Sequence, residues 1–295
     1  MIVREPPVRE PARSAVQRLG RRVFDILAEV GRASMICVGA VAAMRFALTK
    51  RARKDIVAQM HFCAVRSLPV VSVVAFFIGM ILALQIGIEL RVYNQEALTG
   101  SAVMASMLRE MGPFMSGLVL AASVGAAMAA QVGTMMVNEE IAALEIMDID
   151  PLRFLVMPRM AAMAVTVPMM SFYTCALGVL GGAVVSHTQL AVPWATYFQN
   201  AMDFASTKAL WVGLFKAFLF GFIIVTVSCY EGFRTEHGAV GVGRATRQSV
   251  VTNFLLILIG SRSYIDFCLI IVIICFARRC DIAVCAPVNR FFCGC

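Results

Sequence analysis

The sequence predicts an all-α polytopic membrane protein, and three observations carry that reading. The chain is 60% hydrophobic and only 15% charged, where soluble domains carry about 25% charge. Its mean hydropathy is +0.81. Several apolar runs reach the roughly 20 residues that a helix needs to cross a ~30 Å hydrocarbon core. These runs read as helices because lipid requires every backbone group to be satisfied internally, and the short alternating segments of a barrel are missing.

The N-terminal segment, residues 1–66, holds 13 Lys or Arg against five Asp or Glu, whereas the remaining 229 residues hold 13 of each. All the excess positive charge therefore sits at this end, which places it on the cytoplasmic face beside anionic headgroups. A basic arm also suits nucleic acid, but no aromatic platform or binding motif accompanies this one, so no nucleic-acid partner is expected. From residue 14 to about 55 an apolar face with a basic rim predicts an interfacial amphipathic helix. Arg32 and Arg45 leave too short an uncharged stretch between them for a crossing. No apolar h-region follows the Arg- and Pro-rich start, so no signal peptide is expected.

Five spans follow, at about 67–90, 102–131, 155–186, 208–229 and 250–275, forming a membrane domain over 67–275. The third contains Pro168 and the loops 187–207 and 231–249 read as irregular. With a cytoplasmic N-terminus, the connection between spans two and three lies inside, and Arg153, Arg159, Arg234, Arg244 and Arg247 agree with that orientation. The segment 276–295 is an atypical tail: six of the ten cysteines crowd into residues 268–295, which is not the spacing of a disulfide framework.

In span two, Gly117, Ala121, Gly125, Ala129 and Gly133 recur at every fourth position. Small side chains on one face let another helix approach closely, either in the same chain or in a second copy. At the opposite end lies LREMGP, where Arg109 and Glu110 enter the membrane ahead of Pro113, whose missing N–H leaves the carbonyl of Arg109 without its helical partner. Each charge near mid-bilayer costs about 2.5–3.5 kcal/mol, so each should meet a partner, line a polar cavity or snorkel to the interface. Lys216, in LFKAFLF of span four, poses the same choice.

The stretch VNEEIAALEIMDID concentrates acid in an apolar chain. Asn138 is placed to cap a short amphipathic helix over about 137–150, with Glu139 and Glu140 in its favourable first turn. Ile141, Leu144 and Met147 follow at three-residue steps beside Glu140 and Glu145, and Asp150–Pro151 ends the element. It is either a solvated helix or a knob offered to a cytoplasmic protein, through its carboxylates or through Ile141, Leu144 and Met147.

His61, His187 and His237 stand singly without ligand spacing, so no metal site is expected. GAVGVGRAT lacks the Lys and the preceding strand of a phosphate loop. With no nucleophile, base and orienter set either, neither a cofactor nor a catalytic residue is assigned.

The run from LREMGP through NEEIAALEIMDIDPLRFLVMPR, with LFKAFLFGFIIVTVSCYEG and GAVGVGRATRQSVV, resembles the MlaE (YrbE-like) permeases, membrane subunits of ABC lipid transporters that work with MCE-domain proteins. The resemblance implies a homodimer in the inner membrane of a double-membraned bacterium, driven by a separate cytoplasmic ATPase, moving phospholipid or related lipid to or from an MCE-domain lipid-binding partner and contributing to outer-membrane asymmetry. It makes the acidic stretch a coupling helix, with Glu139, Glu140, Ile141, Leu144, Glu145 and Met147 toward the ATPase and Asp150, Pro151, Arg153, Pro158 and Arg159 setting the turn into span three. Arg109 and Glu110, with Lys216, would belong to a lipid cavity. The chain departs from the pattern at Ser123 and Gln131, where the family commonly has Arg and Glu, and after about residue 260, where nothing matches and a frameshift is suggested. Without the resemblance, an ion-coupled secondary transporter using Arg109, Glu110 and Lys216 is the main alternative, although internal repeats are missing; a scaffold recruiting a cytoplasmic protein is another.

Overall fold

The computed structural model describes residues 50–235 and 238–262, with 31, 35–37 and 39. The interfacial helix expected over 14–55, the C-terminal part of the fifth span and the tail lie largely outside these residues. Every regular element among the described residues is helical. Helix α1 is Lys50–Val92; α2 is the continuous run Glu96–Val137 and α4 the run Leu152–Leu190. Between them lies α3, Glu140–Ile146. Helices α5, Trp194–Asp203, α6, Thr207–Phe233, and α7, Gly238–Arg262, complete the described residues.

Among the described residues four helices, α1, α2, α4 and α6, are long and apolar enough to cross a membrane. The fifth predicted span is described only as far as Arg262, at the end of α7. α1 lies along α4, α4 contacts α6, and the second half of α2 packs against α6 and α7. The central core joins Leu120, Val124 and Met128 of α2 to Met160 and Met163 of α4, Phe220 and Ile224 of α6 and Ile257 of α7. These are large apolar side chains with 0–2% exposure, the burial that orders helices whose outer faces gain nothing from lipid.

Three sequence expectations need correction. First, the helix of the first span, expected to begin at about 67, is already formed at Lys50 among the described residues; Cys63 and Ser67 are fully buried, and Ser67 Oγ donates to the Cys63 carbonyl at 2.6 Å. Second, the loop expected at 231–249 is helical from Gly238 onward. Its glycines suggest a loop, yet Ala245, Ser249 and Asn253 are buried and packing overrides weak propensity. Only Gly238, at φ +65°, uses glycine's freedom to start the turn. Third, the loop expected at 187–207 contains α5. Its Tyr197 is 1% exposed, donates its hydroxyl to the Val179 carbonyl at 3.3 Å, and has its pKa pushed above the ordinary phenol range by burial. Asn200 ties α5 to the start of α2 through the Ala97 carbonyl at 2.7 Å.

The tightest helix contact is a glycine crossing the sequence reading did not single out. A Cβ at Gly79 of α1 would collide with the carbonyl of Gly178 in α4, and one at Gly181 with the carbonyl of Phe76. Backbone cannot move aside as a flexible side chain can. Gly79→Val is therefore expected to cost at least the 1–3 kcal/mol typical of overpacking. Fluorescence size-exclusion of solubilised protein should show loss of the monodisperse peak, and an unchanged profile would mean that the crossing is not closely packed.

Candidate functional site

The site is built at the point where α2 widens. Pro113 has no N–H to give to the Arg109 carbonyl. The helix answers with a π-turn over Met107–Met111, in which the Gly112 N–H reaches the Met107 carbonyl; Cys175 of α4 donates to the same carbonyl at 3.2 Å. Such turns re-aim side chains and recur at functional positions. Here the turn carries Arg109, which is exposed, and Glu110, which is partly buried.

Glu110 meets Lys216 of α6 across the bundle. Lys216 Nζ lies 2.7 Å from Glu110 Oε2 and donates also to the Ser261 carbonyl of α7 at 2.6 Å. Ser261 Oγ donates to Glu110 Oε2 at 3.2 Å. The Lys216 side chain is 13% exposed and that of Glu110 42%, so the cation is held inside while the carboxylate has an open side. Pairing answers the cost of a charge in the apolar zone. Lys216 thus has a built partner and no need to snorkel. What brings it there is Gly213, one turn earlier, where a Cβ would run into the Leu108 carbonyl at the edge of the π-turn. The sequence offered no signal for Ser261.

At the other end of the bundle, α2 hands over to α3. Asn138 does not cap α3: it closes α2, with its N–H on the Thr134 carbonyl at 3.0 Å, while Glu139 occupies the N-cap position at φ 60° without a side-chain cap bond. Two left-handed residues, Glu139 and Asp148 at φ 58°, bracket α3. Asp148 closes it by a Schellman pattern in which Ile149 N–H reaches the Leu144 carbonyl at 3.0 Å and Asp148 N–H the Glu145 carbonyl at 3.0 Å. Asp150 Oδ1 then accepts from Leu152 N–H at 3.0 Å, so Asp150 caps α4 and Pro151 fills its first turn, where a missing N–H costs nothing.

This geometry divides the predicted coupling residues. Ile141 is 4% exposed, and Leu144 packs against the same core; both hold α3 to the bundle. Glu139, Glu140 and Glu145 are exposed. Of the three apolar residues read onto one face, only Met147 is left open, at 60%, joined by Ile146 at 87% and Phe154 at 56%. Arg153 is exposed, whereas Arg159 is buried. The small-residue seam faces helices of its own chain: Gly117 approaches Phe220 and Ile257, and Gly133 approaches Thr235. Gly125 sits in a second π-turn, Ala121–Gly125, against Ser228, Ile224 and Asn253. Ala121 and Ala129 are fully buried.

Gln131 and Ser123, the two departures from the expected charge pair, do not meet each other. Ser123 Oγ donates back to the Val119 carbonyl at 2.8 Å. Gln131 Oε1 instead faces Arg159 Nη2 at 3.4 Å.

Comparison with known proteins agrees with this architecture. Residues 56–262 match the family Permease MlaE. A probable ABC transporter permease protein of Rickettsia bellii is 35% identical over 248 residues, 82% of this chain and 93% of the relative. The intermembrane phospholipid transport system permease protein MlaE of Haemophilus influenzae is 30% identical over 249 residues, again 82% of this chain and 93% of the relative. A probable ABC transporter permease protein of Synechocystis is 32% identical over 209 residues, 71% of this chain and 80% of the relative. The multi-pass helical bundle described above therefore belongs to the MlaE permease family.

Proposed function

We propose that this chain is the permease subunit of an ABC transporter that moves phospholipid, working as a homodimer in an inner membrane, with its ATPase on the α3 side and an MCE-domain lipid-binding protein on the α5 side. The observation that carries the lipid reading is the Glu110–Lys216 pair: an ion pair among apolar helices, with the carboxylate open on one side and the exposed Arg109 beside it. A phosphodiester lipid presents an anion for Arg109, and for a zwitterionic headgroup a cation for Glu110. The Haemophilus relative, named for intermembrane phospholipid transport, supports the same substrate class.

Nucleotide-driven closure of the ATPase would push on α3. Because Ile141 and Leu144 are embedded in the core shared by α2, α4 and α6, a push on α3 is transmitted to those helices as a rigid-body shift. The nucleotide can drive this only by binding the two arrangements with different affinities.

The test is purification with the co-expressed ATPase, mass spectrometry of co-extracted lipid, and transport in proteoliposomes. Phospholipid should co-purify, and its transfer should require ATP. Solute flux driven by an ion gradient without the ATPase would overturn the proposal in favour of a secondary transporter.

A further inference from the structure

We infer that Arg159 holds a phosphoryl anion in a recess at the α3 end of the bundle, a site separate from the Glu110–Lys216 pair. The inference goes beyond the transport reading: it stands on Arg159 and its surroundings whether or not lipid passes Glu110.

Arg159 is 5% exposed, and its guanidinium meets neutral partners only weakly, Gln131 Oε1 at 3.4 Å from Nη2 and the Cys229 thiol. Nη1 is buried with no hydrogen-bond partner among the described residues. The ion pairs formed among the described residues involve other side chains, so no carboxylate there neutralises it. The Cys63 thiol also lies within electrostatic reach of it, and thiols carry no charge at neutral pH. A buried cation facing only a neutral amide and thiols is costly, and an anion is the partner that relieves that cost.

The structure also supplies room for one. Arg159, Gln131, Thr134, Met135 and Ala130 line a recess of about 420 Å³. A phosphate fits easily, and the planar guanidinium, whose buried Nη1 makes no hydrogen bond among the described residues, suits its oxygens once the recess opens to that atom. Gln131 can add an amide N–H if its side chain turns. The apolar share of the lining, Met135 and Ala130, suits the glycerol and upper acyl carbons of a lipid better than a free ion.

Depth agrees with a headgroup. The α4 run has 39 residues, about 58 Å at 1.5 Å per residue, and so overshoots a bilayer of about 40–45 Å including headgroups. Arg159 is the eighth residue of that run, about 10 Å from its start. If the helix is centred, this is the headgroup level of the α3-side leaflet.

The test compares the full-length wild-type chain with Gln131→Glu, which gives Arg159 an internal carboxylate and so keeps the fold while filling the anion's place. Retained lipid is counted by native mass spectrometry and thermal stabilisation is measured with dioleoylphosphatidylglycerol, with dioleoylglycerol, which lacks the phosphate, and with inorganic phosphate. Phosphatidylglycerol should be retained about tenfold less by Gln131→Glu, the scale of one charged hydrogen-bonded contact. Dioleoylglycerol should not distinguish the two proteins. Stabilisation of wild type alone by inorganic phosphate would identify a free anion as sufficient, and its lack of effect beside a phosphatidylglycerol effect would identify the lipid headgroup. Equal retention of phosphatidylglycerol by both proteins, with no selective effect of phosphate, overturns the site even if transport is intact. Lipid bound elsewhere, including at Glu110, appears equally in both and cancels.

Discussion

Glu110→Lys is expected to abolish the proposed lipid transfer, because it sets an ammonium against Lys216 where 2.7 Å now separates opposite charges. Like charges at ~4 Å repel by about 4 kcal/mol at an effective dielectric of 20, and breaking a buried pair by removing one partner costs about 3–5 kcal/mol. The open side of Glu110, whose side chain is 42% exposed, moderates both figures, so several kcal/mol is the expected scale. A transport defect alone would not separate a role toward lipid from a role in holding α2 to α6. The double variant Glu110→Lys with Lys216→Glu does so. It restores opposite charges, although the Ser261 carbonyl, now 2.6 Å from Lys216 Nζ, would lose its donor. The double variant should recover most of the melting temperature lost by Glu110→Lys while leaving ATP-dependent transfer at least tenfold below wild type, since the carboxylate no longer sits beside Arg109 on the π-turn. Recovery of both properties would make the pair structural only.

How much of this was legible in the sequence depends on the range of the interaction concerned. The spans are readable because each is a local property of some 20 consecutive side chains, and the Asp150–Pro151 turn because a cap and a proline act on adjacent residues. The charges at Glu110 and Lys216 announce themselves as costly, but they are 106 positions apart, and no periodicity brings α6 to the π-turn of α2. That approach is set by Gly213 meeting the Leu108 carbonyl, a contact between backbones that carries no compositional signal. The segment 238–249 misleads in the opposite direction, since its glycines weaken the local helix signal while Ser249 and Asn253, hydrogen-bonded to Ser228 at 3.0 and 3.1 Å, hold it in the bundle. Arg159 reads from the sequence as a loop-flanking charge near an interface, which the resemblance makes turn-setting; its burial against Gln131 depends on how α4 is rotated against α2. The inward face of α3 is similarly hidden. The left-handed conformation of Glu139 breaks the phase of the helix, so three-residue spacing identifies an apolar face without saying where that face stops. Ile141 and Leu144 turn in, while Met147, at the end of the seven-residue helix, swings out.

That division determines which substitutions should break the proposed link to an ATPase. Paired Ile146→Asp and Met147→Asp are expected to weaken association with the ATPase at least thirtyfold, the effect of losing a hot spot worth about 2 kcal/mol. Ile146 is 87% and Met147 60% exposed, beyond the helices long and apolar enough to cross the membrane, where an uncovered pair of large apolar side chains marks a contact surface. Neither residue is buried in the fold, so melting temperature should stay near wild type. Reversing Glu139, Glu140 and Glu145 to Lys should also disrupt binding, but in a different way. Exposed rim charges steer encounter and set salt dependence more than they set the lifetime of a complex, so the triple reversal should lower the association rate most at low salt. Ile141→Ala provides the contrasting case: its side chain is 4% exposed, so truncation should cost about 2–5 kcal/mol of fold stability before it affects any partner. Surface-based binding of the ATPase to permease in nanodiscs, with rates resolved at two salt concentrations, distinguishes the three variants. If the aspartate pair binds as wild type does while the lysine triple loses binding at all salt concentrations, the carboxylates themselves make the contact and Ile146 and Met147 merely face water or headgroups.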